Sequence, residues 1–118
     1  MISHAALYDF PTASALQKIA SDIYSRGGIF GTTCHGAAIL PGVVDTSTGE
    51  NIAKGRSVTG FTREAEYTME YVAKTSFVEM LTRCDSVMKF LNSWDRPLID
   101  DWCEQIGAKC ESNHVSTF

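Results

Sequence analysis

The chain has 118 residues, 44% of them hydrophobic and 20% charged, with a formal net charge of −4. That composition supports one modest buried core and excludes both a disordered polar chain and a membrane-spanning run. It contains no run of Lys and Arg with the clustered charge that phosphates require, so no nucleic-acid surface is expected. Met1-Ile2-Ser3-His4 has neither the basic start nor the apolar stretch of a secretory signal. The four cysteines, Cys34, Cys84, Cys103 and Cys110, lack paired C-x-x-C spacing. Neither a zinc site nor a disulfide framework is therefore indicated, and reduced thiols in the cytoplasm, with no bound metal, are the expectation.

Taken in chain order, Ser3 to Phe10 reads as a loop and the first helix follows it. Pro11 suits an opening turn, and Asp9 or Thr12 is placed to cap the free amides. Leu16, Ile19, Ala20, Ile23 and Tyr24 recur at helical spacing and form the expected core face. Gly27-Gly28 then stops the helix; no phosphate-binding glycine pattern surrounds the pair, so it reads as a C-cap and turn. Ile29 to Thr33 is predicted as a buried strand, and His35 to Leu40 as the start of a helix that Pro41-Gly42 breaks. Asp45 to Glu50 is a polar turn between short extended pieces. Arg56 to Phe61 alternates like a strand, and Arg63 to about Met69 is helical. This alternation of helix and short apolar strand indicates an α/β sandwich with a mostly parallel sheet.

Cys34 stands where the predicted strand ends, within Thr32-Thr33-Cys34-His35-Gly36. The pattern reads as a nucleophile elbow. A residue at such a turn is held in a strained backbone conformation with its side chain projecting, and the positions two residues either side must be small. Thr32 and Gly36 meet that need. A thiolate there is stabilised by the amides that open the following helix and by an adjacent imidazolium. A buried structural cysteine at a strand end is the competing reading. In parallel sheets, sites gather at the carboxyl ends of the strands, where Cys34 falls.

Four blocks carry a resemblance to a known family. They are His4 to Pro11, Thr33 to Leu40, Lys54 to Thr62 followed by Glu66, and Ser93 to Trp102 running on through Gly107-Ala108-Lys109. In this order they resemble the ThiJ/PfpI superfamily, and within it the fungal glutathione-independent glyoxalase III, or D-lactate dehydratase, branch. The resemblance implies a partial flavodoxin-like (class I glutamine amidotransferase-like) sandwich. It also implies cofactor-independent conversion of methylglyoxal to D-lactate through a cysteine hemithioacetal. By the same resemblance Cys34 is the nucleophile, His35 the general acid/base and Glu66 the carboxylate that orients the imidazole. His4, Ala5 and Gly36 would border the substrate. Without the resemblance, a glutamate at a helix start reads as a solvated side chain.

The chain departs from the family pattern in several places. Ile2-Ser3 replaces a glycine pair, Ala37 a more usual proline, and the family's cysteine-contacting glutamate has no counterpart. A single partial domain, 1–118, is expected, family-like over 4–71 and 92–110, with an atypical insertion at 72–91 and an atypical tail at 111–118. In the insertion Phe77, Met80, Leu81, Val87, Met88 and Phe90 have roughly helical spacing. Both departures begin abruptly, as translated non-coding sequence would, and Val115-Ser116 can be encoded by a common splice-donor sequence. Two function classes follow: a glyoxalase acting on a small dicarbonyl, and a catalytically silent fragment acting through homo-oligomeric association or chaperone-like binding at exposed apolar surface.

Overall fold

The computed structural model describes residues 5–75 and 95–111. Ala6–Asp9 forms α1, Phe10–Thr12 a 3-10 turn and Ser14–Ser25 α2. The stretch expected as a loop is therefore helical from Ala6. Pro11 lies in the 3-10 turn instead of opening α2, and neither Asp9 nor Thr12 caps that helix: the Thr12 hydroxyl donates to the Asp9 carbonyl (3.2 Å). The non-helical backbone of Ala13 (φ −77, ψ 66) separates the two elements. In place of a cap, the Gln17 amide holds α2 down by donating to the carbonyls of Phe10 (2.9 Å) and Pro11 (3.0 Å).

The expected core face of α2 is a second correction. Ala20 is buried, but Leu16, Ile19 and Ile23 are exposed, Ile19 by 55%. The helix packs instead through Ala20 and Ser21, whose hydroxyl donates to the Gln17 carbonyl (2.8 Å) and accepts the Val44 N–H (3.0 Å). Periodicity identifies an apolar stripe, but burial needs a neighbouring element to lie on it. The end of α2 follows the sequence signal. Gly27 takes a left-handed φ of 78, its N–H donates to the Tyr24 carbonyl (2.9 Å), and the Gly28 N–H donates to the Ile23 carbonyl (2.9 Å). This is a Schellman cap.

Ile29 to Thr33 is not a strand: the segment joins no sheet among the described residues, and Ile29 is 97% exposed. Thr33 is nonetheless extended (φ −139, ψ 146). An apolar run of this length becomes a strand only when another strand takes up its backbone donors and acceptors. Cys34–Gly42 then forms a buried 3-10 helix that runs through Pro41 instead of stopping before it. The polar turn falls where expected, with Val44 and Asn51 bridged antiparallel and the Asp45 carboxylate accepting the Ser47 N–H (2.8 Å) and hydroxyl (2.6 Å).

Strand β1 is Ser57–Thr59, shorter than predicted, and pairs in parallel with β2, Lys109–Glu111, with Val58 opposite Cys110. Between them lie α3, Arg63–Thr75, and α4, Ile99–Gln105. Helix α4 ends as α2 does: Gly107 has φ 70 and the Ala108 N–H donates to the Cys103 carbonyl (2.8 Å). The parallel pair between helices is the expected α/β arrangement. Its main core joins Leu7, Ala37, Ala38, Leu40, Ala53, Leu98, Ile99 and Cys103. Helix α3 extends into the stretch expected as an insertion; the remainder of that stretch, the tail beyond Glu111, Cys84 and His4 lie outside the described residues. No helix among the described residues is long and apolar enough to cross a membrane.

Gly27→Ala should lower stability by about 1–2 kcal/mol, because a Cβ disfavours the left-handed conformation. Nothing lies within 4 Å of the added Cβ, so packing contributes nothing and the loss is conformational. Urea unfolding of the two proteins at equal slope checks this.

Candidate active site

The path from an extended Thr33 into a 3-10 helix forces a reversal at Cys34, which carries a left-handed φ of 57. For a residue with a side chain this conformation is strained and persists only where its surroundings enforce it. Two backbone bonds do so: the Gly36 N–H donates to the Thr33 carbonyl (2.9 Å), and the Phe61 N–H donates to the Cys34 carbonyl (3.3 Å). Gly60 permits the second approach. A Cβ there would come within 2.8 Å of Ile99 Cγ2, 3.3 Å of Ala37 Cβ and 3.4 Å of the Cys34 carbonyl oxygen.

Cys34 is half-buried, and its Sγ lies 3.2 Å from His35 Nδ1. The other ring nitrogen, Nε2, is 2.5 Å from Glu66 Oε1. His35 is 1% exposed and Glu66 is fully buried. The order thiol, imidazole, carboxylate thus runs inward from the half-buried cysteine. The Phe61 ring packs against the imidazole, with centroids 4.7 Å apart and planes tilted by 33°. A thiol proton can pass to Nδ1, and the resulting imidazolium keeps its Nε2–H directed at a carboxylate. Chemically, such an arrangement can supply a nucleophile, a base and a carboxylate that orients the base.

The structure brings Cys34, His35 and Glu66 into one chain of contacts. Gly36 is buried within the turn, its N–H committed to Thr33. Ala5 is exposed at the start of α1, where its carbonyl accepts the Tyr8 N–H (2.9 Å), and His4 lies outside the described residues. Sequence reasoning missed Phe61 as part of the site and Gly60 as its spacer. The available signal was a glycine-aromatic pair at the end of a predicted strand, inside a block that carried the family resemblance. Among the described residues, no group of three or more His, Cys, Asp and Glu side chains could hold a metal ion.

The chain is 36% identical over 106 residues to the glutathione-independent glyoxalase HSP31 of Saccharomyces cerevisiae, covering 90% of this chain and 38% of that protein. It is 41% identical over 122 residues to the probable glutathione-independent glyoxalase HSP32 of the same yeast, covering 97% of this chain and 51% of that protein. The crystal structure of glyoxalase III from Candida albicans superposes with a TM-score of 0.71 at 32% identity, covering 94% of this chain and 40% of that one. This chain is a homologue of the glutathione-independent glyoxalases. The fold it shares with them is the flavodoxin-like α/β sandwich. It spans between 38% and 51% of the length of these two curated yeast relatives. No family model matches the sequence.

The other described cysteines are Cys103, which is buried, and Cys110, which is half-buried. Burial pushes the Cys103 thiol up and, together with the neighbouring Cys103, pushes Cys110 to about 12. At pH 8 both are therefore protonated and poor nucleophiles. Limiting iodoacetamide followed by peptide mapping should modify Cys34 ahead of Cys103 and Cys110. Preferential loss of either of those two thiols in folded protein would contradict the assignment.

Proposed function

We propose that this chain carries a glyoxalase III-type site that converts methylglyoxal to D-lactate without an external cofactor. The observation that carries the proposal is the relay from half-buried Cys34, at a left-handed elbow, to the buried His35 and Glu66. The Cys34 thiolate adds to the aldehyde carbon, and His35 returns the proton to the new alkoxide, giving a hemithioacetal. Removal of the remaining hydrogen on that carbon as a proton gives an enediolate. Protonation at the adjacent carbon then leaves a lactoyl thioester on Cys34. Water attacks the thioester, releasing D-lactate and restoring the thiol. One carbon is oxidised and its neighbour reduced, so the only net reactant besides methylglyoxal is water.

Glu66 holds the imidazole in the tautomer that presents Nδ1 to sulfur and stabilises the imidazolium formed when the thiol ionises. Phe61 limits rotation of the ring by packing on it. We place the reaction in the cytoplasm, as a stress-related detoxification, a setting compatible with the free thiols of Cys34, Cys103 and Cys110. The open apolar face of Leu16, Ile19 and Ile23 supports an accompanying self-association or chaperone-like binding.

D-lactate formation from methylglyoxal by the purified chain tests the proposal. Cys34→Ala should abolish it, and Glu66→Gln should lower kcat by about 10²-fold or more, the range expected when an acid/base loses its orienting partner. D-lactate formation that survives Cys34→Ala unchanged would refute it.

A further inference from the structure

The block from Ser93 to Trp102 carries part of the family resemblance, yet none of its residues enters the chemistry above. Its Ile99-Asp100-Asp101 segment opens α4, and all three residues reach towards the elements that build the site. Ile99 is 1% exposed and packs where Gly60 passes the Cys34 carbonyl. Asp100 Oδ2 accepts the Arg63 N–H at 2.6 Å, a contact spanning 37 positions of sequence. Asp101 Oδ1 accepts from the Arg63 guanidinium (2.5 Å), while its other oxygen accepts the Leu98 N–H (2.9 Å).

We propose that Asp100 is a positioning residue of the site: by capping the first turn of α3 it fixes Glu66 against His35. The inference rests on the reading of Cys34, His35 and Glu66 as the reactive group. Arg63 is the first residue of α3 and Glu66 lies one turn later on the same helix. The Glu66 N–H donates to the Thr62 carbonyl (3.0 Å) and the Ala65 N–H to the Thr62 hydroxyl (3.3 Å), so the turn moves as a unit. Local capping by Thr62 leaves the Arg63 N–H to be met from elsewhere, and Asp100 meets it. Because Ile99 is packed beneath the elbow, its neighbour Asp100 refers the start of α3 to the same core that holds Cys34. A carboxylate at a helix start is also favoured by the helix dipole. The Arg63–Asp101 pair is secondary, since its side chains are 44% and 37% exposed and water screens them.

The test compares Asp100→Ala, Asp100→Asn and Arg63→Ala in the full chain. Three quantities are read: the rate of Cys34 alkylation by iodoacetamide across pH, kcat and KM for methylglyoxal, and thermal melting. In Asp100→Ala, alkylation near neutral pH should slow at least about tenfold and kcat fall by up to about 10²-fold, as for a displacement near 1 Å, with KM within about twofold. Asp100→Asn keeps an oxygen acceptor and should restore most of both rates. Arg63→Ala keeps the N–H and should stay near the parent chain. Parent-like alkylation in folded Asp100→Ala, or Asp100→Asn as impaired as Asp100→Ala, would overturn the proposal. Should Asp100→Ala not fold, Asp100→Glu decides: it shifts the acceptor by one methylene and is expected to slow alkylation, and an unchanged rate would overturn the proposal. If the parent chain forms no D-lactate, the functional reading fails, while the alkylation ratios still decide the role of Asp100.

Discussion

A hydrogen bond of 2.5 Å between two fully enclosed groups, His35 Nε2 and Glu66 Oε1, sets the terms for the rest of this molecule. Placing an ionisable pair out of water carries a desolvation penalty of several kcal/mol per ion, and only close geometry with good hydrogen bonds offsets it. Such a pair contributes little to net stability, whereas removing one partner typically costs about 3–5 kcal/mol. The arrangement is therefore expensive to keep and expensive to break. What it does geometrically is hold an imidazole nitrogen 3.2 Å from a half-buried thiol.

The surrounding structure serves that geometry from two directions. On one side the elbow is held by backbone bonds at Gly36 and Phe61, and it closes only because Gly60 has no side chain to collide with Ile99 and Ala37. On the other side α3 brings Glu66 inward with its first turn tied to Thr62 and Asp100. Helix α4 touches both, through Ile99 at the elbow and Asp100 at α3. The central part of the fold is thus well buried even though α2 leaves Leu16, Ile19 and Ile23 open to water.

The features legible in the sequence are those set by local backbone chemistry. The stop at Gly27-Gly28, the polar turn from Asp45, the start of α3 and the reversal at Cys34 each follow from residues within a few positions. Glu66 became a site candidate only through family resemblance, since a glutamate one turn into a helix carries no local mark of burial. Its partner His35 is 31 positions away. The strand expected at Ile29 to Thr33 depends on pairing, and the stripe on α2 on a covering neighbour, so neither outcome is written in its own segment. Phe61 and Asp100 escaped for the same reason: they act through contacts that only the folded chain creates.

If His35 and Glu66 act on Cys34 as one unit, their effects on the thiol are coupled. A double-mutant cycle on the rate of Cys34 alkylation, using His35→Asn, Glu66→Gln and the combined variant, measures that coupling directly. Each single change should slow the reaction, and the combined variant should be no slower than His35→Asn alone, because Glu66 reaches the thiol only through the imidazole. Independent effects that multiply in the combined variant would contradict the account.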